Sequence, residues 1–293
     1  SFIRSFMTTT TTTTLSAYGE ELIAACRAYS DAALAVKEDD KDDGARAEPP
    51  TAGVASTRGC IDACARIDAE GTKVGLFFRD DGEDVDDAGA RSLLAALHDA
   101  HVAFTLECAA VLEMNKFGTC FADALRAASR GMTQAVCNAM SSASAEAGDG
   151  RSAATKRAVG EIWASTEAFK ALPKSASAAV ARELMRMATF VKDVSSELEE
   201  LEELGGADDV GLDEDDLRFC DDDFDASELA IGKSIGTFTK ACLVLLKALI
   251  VPMVREKTTD LKALEPCVEA CGRFRQSVED LGAGVYPPQD TDE

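Results

Sequence analysis

A chain of 293 residues can fill one large or two ordinary domains and bury a sizeable core. Its 53 acids against 30 bases leave a formal net charge of −23, which repels nucleic-acid phosphates and acidic membrane surfaces and turns attention to basic protein surfaces as partners. Ala is plentiful, Pro is scarce at 7 and no stretch alternates at period two for long, so the expected class is all-α, about eight amphipathic helices in two antiparallel bundles.

Ser1 to Leu15 is rich in Ser and Thr, carries Arg4 and lacks acids, a composition shared with organelle transit peptides; a start at Met7 before a disordered Thr tract is the other reading. Leu15, Tyr18, Leu22, Cys26, Tyr29 and Val36 trace a first helix ending near Lys37. Residues 38–58 mix Asp, Gly and Pro49-Pro50 with too little apolar surface to offset the ordering entropy, and read as a linker. A second helix shows Cys60, Cys64, Ile67, Val74 and Phe78 on its seam, with Gly71 and Gly75 leaving room for a close neighbour, until the acids of Asp80 to Asp87 break it. Leu94, Leu97, His101, Phe104, Cys108 and Val111 form a third seam, and Phe117, Phe121, Leu125, Ala128, Met132 and Ala135 a fourth. The short turn between them near Asn115 implies antiparallel neighbours. Beyond a loop with Gly148 and Gly150, Thr155, Val159, Ile162, Thr166 and Phe169 mark a fifth helix, with Trp163 expected in the core and Pro173 as the stop.

Val180, Leu184, Met187, Val191, Val194, Leu198 and Leu201 then alternate in steps of four and three, one stripe of a helix from Ser175 to Leu204 about 45 Å long. Ile231, Ile235, Phe238, Cys242, Leu245 and Leu249 repeat the pattern after an acidic break; Asp225 with Glu228 resembles a capping box there, and Pro252 is expected to end or kink the helix. Leu261, Leu264, Val268, Cys271, Phe274, Val278 and Leu281 give the last seam. A first bundle at 15–170 and a second at 175–285 follow, with an acidic loop at 205–225 and tails at 1–14 and 286–293. Because nearly every helix shares the alternation, bundle core is favoured over a coiled-coil zipper. No run of about 18 uninterrupted apolar residues is present, so no membrane span is expected and the chain reads as soluble.

Glu199 to Glu228 holds fifteen acids against the single base Arg218. The candidate partner surface, open to basic proteins, is Glu199, Glu200, Glu202, Glu203, Asp213, Asp215, Asp216, Asp221, Asp222 and Asp223. Counted from Asp213, an EF-hand would need Gly where Arg218 stands and Glu where Phe224 stands, so no dedicated calcium loop is read there. His98 and His101 have the spacing of two metal ligands but lack a third at a matching step, which makes His101 a core residue and places His98 toward water. Cys60 with Cys64, and Cys267 with Cys271, sit on apolar seams as small hydrophobes rather than as zinc knuckles, and ten cysteines spread along so long a chain suit a reducing compartment. With no Gly-rich phosphate loop, nucleophile elbow or triad, neither enzyme activity nor a cofactor or metal is expected. Ser196 and Ser277 each have an acid three residues on, the pattern of acidophilic kinases.

From about Arg58 to Pro288 the order of features resembles the cyclin-D-binding protein family, also called cyclin-D-interacting or maternal Id-like proteins. The residues that carry it are Phe190-Val191-Lys192-Asp193 leading into Glu197 to Glu203, the acidic insert, Lys240-Ala241-Cys242-Leu243 and the closing Val285-Tyr286-Pro287-Pro288, with a looser similarity over Ala63 to Phe78. The resemblance implies an all-α, non-catalytic protein that binds D-type cyclins and helix-loop-helix transcription factors, restrains the cell cycle and transcription, and resides in nucleus and cytoplasm. Family members continue past the Tyr-Pro-Pro with further helices, whereas this sequence ends at Glu293. The chain is then either a fragment or has a second bundle of three helices, and three would leave an open apolar groove for self-association or capture of a partner helix. A vinculin- or talin-like cytoskeletal adaptor, also built from long helical bundles, is the competing reading.

Overall fold

Side chains at the helix starts satisfy amides that have no partner within the helix. Thr14 accepts the amide of Ala17 at 3.3 Å and opens α1 (Leu15–Leu34); Asp86 takes the amides of Ala88 and Gly89 at 3.2 and 3.1 Å and opens α3 (Asp87–Glu113). Ser175 takes the amide of Ala178 at 3.2 Å ahead of α6 (Ala176–Gly205). Gly150, at a φ of 107°, lies in left-handed space that suits glycine and turns the chain into α5 (Arg151–Lys170). α2 (Thr57–Phe77), α4 (Gly118–Ser144), α7 (Ala226–Glu256) and α8 (Leu261–Ala283) complete the set. The computed structural model describes residues 14–35, 57–79, 86–114, 118–146, 148, 150–205, 226–256 and 261–283, and among them there are eight helices and no strand. The all-α class and the count of helices agree with the sequence. The proposed capping box at Asp225 and the turn near Asn115 fall outside the described residues.

The chain divides into two compact units, the first holding α1, α2, α3, α5 and most of α4, the second α6, α7, α8 and the start of α4 up to Phe121. In the first unit α2 pairs antiparallel with α5, and α1 with α4. Asp68, Gly71 and Gly75 of α2 meet Thr166, Ile162 and Val159 of α5, so one number falls as the other rises. Gly19, Cys26 and Ser30 of α1 meet Ser144, Cys137 and Thr133 of α4 in the same sense. The two glycines of α2 do admit a close neighbour, as their spacing suggested. Trp163 departs from expectation: it is 50% exposed on α5, its indole N–H 3.3 Å from Thr72 Oγ1, while Ile162 and Val159 pack against Gly71 and Gly75 of α2.

Gly19 and Gly71 differ in what a methyl group would meet. At Gly71 a Cβ would lie 2.9 Å from Ile162 Cδ1, the end of a mobile side chain, whereas at Gly19 it would lie 2.5 Å from Ser144 Cβ, which sits on the backbone of α4. Gly→Ala in a helix gains about 0.5–1 kcal/mol from the unfolded state, and overpacking costs about 1–3 kcal/mol. Gly19→Ala is therefore expected to lower the urea midpoint clearly, while Gly71→Ala changes it little.

In the second unit α6 is the central helix: α7 and α8 both pack on it and touch each other only slightly. Lys192 and Glu199 of α6 lie across from Lys247 and Lys240 of α7, an antiparallel pairing, while Phe190 and Val194 lie beside Arg275 and Gly282 of α8, a parallel one. The predicted α6 stripe is buried as expected at Val180, Leu184, Met187, Val191 and Leu198. The predicted α7 stripe is buried at Cys242 and packs partly at Leu249, but not along its length. Gly232, Gly236, Thr239, Cys242 and Leu246 face inward, and Ile231, Phe238 and Leu245 are 37%, 50% and 59% exposed. Small residues let α7 approach its neighbours closely, so the buried face is turned away from the larger side chains. Pro252 does not end α7, which runs on to Glu256.

Two helices, α3 and α7, are long and apolar enough to cross a membrane by length and composition, against the expectation drawn from uninterrupted runs. Half of the α3 window lies inside the bundle, as in a core helix, but only 17% of the Ala230–Val254 window of α7 is buried. Lys240 and Lys247 interrupt the run without cancelling its mean hydropathy.

Candidate functional site

α7 presents more apolar surface than its packing on α6 uses. Val244, Val251 and Val254 are 67%, 44% and 58% exposed beyond the three residues already named. Several such side chains on one helix form a patch of the kind that marks an interaction site. The helix has apolar residues on nearly all sides, and among the described residues none covers its outer half.

α6 forms one wall of two grooves that differ in charge. Between α6 and α8 a groove of about 420 Å³ is floored by Phe190, Val194 and Leu198 and rimmed by Asp193, Glu197 and Glu279. The Arg275 guanidinium stands 4.9 Å from the centre of the Phe190 ring, a cation–π contact that helps hold α8 to α6. Between α6 and α7 a groove of about 540 Å³ is floored by Met185, Leu243, Ile250 and Val251, and its charged lining residues are both basic, Lys192 on one wall and Lys247 on the other. Neither lysine has an ion-pair partner among the described residues, whereas Lys240 is held 2.8 Å from Glu199.

A family model described as Grap2 and cyclin-D-interacting, N-terminal, matches residues 61–204. Residues 61–204 therefore carry a domain of that family. No curated protein matches the sequence. The cyclin-D-interacting match takes in α2 beyond its first turn, all of α3, α4 and α5, and α6 almost to its end. One wall of each groove therefore lies inside the matched region, while α7 and α8 lie beyond it.

Of the acids singled out in the sequence, Glu199 and Glu200 are exposed near the end of α6, and Glu199 is engaged by Lys240. Glu202 and Glu203 belong to the last turns of α6, with side chains outside the described set. Asp213, Asp215, Asp216, Asp221, Asp222 and Asp223 lie outside the described residues altogether.

The two histidines engage different neighbours. His101 is fully buried with Nε2 2.9 Å from Thr133 Oγ1, and Thr133 Oγ1 lies in turn 3.0 Å from the Ser129 carbonyl oxygen and 3.1 Å from Ser30 Oγ. His98, expected to face water, is buried too, its Nδ1 3.4 Å from the exposed Asp99 carboxylate. Cys60, Cys64 and Cys271 are buried and Cys267 is half-buried. Burial pushes the Cys64 thiol up to about 12, far from the thiolate that metal binding or nucleophilic attack requires. Among the described residues no group of three or more His, Cys, Asp or Glu has the arrangement of a metal site. Ser277 is exposed and its hydroxyl donates to the Arg273 carbonyl at 3.3 Å; Ser196 is half-buried.

What sequence reasoning missed is the pair Lys192 and Lys247 and the valines around them. Val244 and Val251 stand seven apart outside the seam assigned to α7, and that surplus of apolar positions was the available signal.

Proposed function

We propose that this chain is a non-catalytic regulatory binding protein that engages D-type cyclins and helix-loop-helix transcription factors in nucleus and cytoplasm, and by holding them restrains cell-cycle progression and transcription. The match of residues 61–204 to the cyclin-D-interacting family carries this reading. The uncovered apolar side of α7 and the exposed acids at the end of α6 supply two kinds of surface for protein partners, one apolar and one anionic. A net charge of −23 suits a protein that draws regulators away from DNA rather than binding DNA itself.

Immobilised full chain is expected to retain at least one purified D-type cyclin or helix-loop-helix protein well above a blank matrix. Retention of neither class removes the proposal. Cosedimentation with filamentous actin is the discriminating control, because pelleting with filaments would favour a cytoskeletal adaptor instead.

A further inference from the structure

The groove between α6 and α7 has properties that the rest of the molecule does not lead one to expect. In a chain where acids outnumber bases 53 to 30, its charged lining residues are two lysines, one on each wall, neither engaged by a carboxylate among the described residues. Its floor is apolar, and Met185 and Val251 are 47% and 44% exposed, with no neighbour laid over them among the described residues. We propose that this groove is the docking site for an amphipathic helix of a partner protein, with apolar anchors seated over Met185, Leu243, Ile250 and Val251 and acidic side chains on both flanks meeting Lys192 and Lys247. The inference deepens the binding role proposed above and rests on it for biological meaning.

Shape and charge together select this occupant. A trough between two antiparallel helices takes a third helix by the same ridge-and-groove fit that packs helices inside proteins, with anchors at i, i+3 or i+4, and i+7. Met185 to Lys192 is seven residues of α6, about two helical turns, which is the length such a set of anchors covers. A lysine on either wall asks for acids on both sides of the incoming stripe. A flat anionic bilayer matches neither the concavity nor the net charge of −23, and a second copy would bring that same charge with it.

The test uses the full chain and a labelled 18-residue synthetic helix with Leu anchors and Glu flanks, a twin with Lys flanks, and vesicles containing phosphatidylserine, read by fluorescence anisotropy and sedimentation. The Glu-flanked helix is expected to bind and to weaken as salt rises. Lys192→Glu with Lys247→Glu should weaken it at least about tenfold and let the Lys-flanked twin bind instead, while exposed Val251→Asp weakens both. That exchange of preference requires a folded groove, so it separates lost contacts from a collapsed variant. Equal binding of both helices to the natural chain overturns the proposal. So does vesicle binding that displaces the helix, or self-association that Val251→Asp abolishes. Undiminished capture of a D-type cyclin by the double variant would leave the regulatory role standing and refute the groove; a groove that passes on a chain capturing neither partner class would do the reverse.

Discussion

Replacing Phe104 by Ala is expected to destabilise the first unit by about 3–5 kcal/mol, the usual cost of removing a fully buried aromatic ring. Phe104 has no exposed surface and meets Phe169 of α5 edge-on, with ring centres 5.3 Å apart and planes at 72°. That geometry places the positive edge of one ring against the negative face of the other, worth about 0.5–1.5 kcal/mol beyond the area buried. The ring also stands 6.4 Å from the imidazole of His101, so its loss opens a cavity beside a buried polar group. Urea unfolding followed by circular dichroism should show the shift in the transition of the first unit. Phe104→Leu should cost distinctly less, since it keeps most of the volume. A double cycle with Phe169→Leu should return a coupling of the size just given. A Phe104→Ala loss under about 1 kcal/mol would mean that α3 and α5 repack without this contact.

Between pH 6.5 and 4 the natural chain should lose stability relative to a His101→Leu variant. Burial, with a smaller contribution from neighbouring His98, lowers His101 from an ordinary 6.5 to about 4. In the folded chain Nε2 is satisfied by Thr133, while Nδ1 is buried with no partner, so an added proton there would have no acceptor. The unfolded chain takes up that proton as the pH falls through 6.5; the folded chain resists until about 4. Stability from this residue is thus complete above pH 6.5, declines through the interval and levels off below 4. A difference of 2.5 units is worth about 3 kcal/mol. Thr133 keeps Ser129 and Ser30 as partners in the variant, which limits the cost of the substitution at neutral pH. Denaturant midpoints of both proteins across this range would show the curves approaching or crossing; parallel curves would mean that the histidine is solvated.

Apolar spacing revealed the helices because almost every one buries a single stripe. Val180, Leu184, Met187, Val191 and Leu198 stand where the alternation of four and three puts them. α7 resisted the same reading for a physical reason. When apolar residues surround a helix, periodicity cannot say which face packs, and the choice fell to Gly232, Gly236 and Thr239, whose value lies in being small. Thr239 satisfies its hydroxyl at the Gly236 carbonyl, 2.9 Å away, so burying it leaves no unpaired donor. The basic groove was illegible for a different reason: Lys192 and Lys247 are 55 positions apart and become neighbours only through the antiparallel pairing of α6 with α7. The acids of 199–203, by contrast, could be picked out because they are adjacent in the chain.

The place of α6 at the centre of its unit separates two notions of a domain boundary. Homology marks 61–204, but a fragment cut to those limits would end inside α6 and discard both helices that cover Leu184 and Val191. It would also discard α1, whose Leu22, Cys26 and Leu34 are buried in the first unit. Inheritance and cooperative folding thus divide this chain at different residues, and a piece prepared for crystallisation or expression should follow the packing, retaining α1 at one end and α8 at the other.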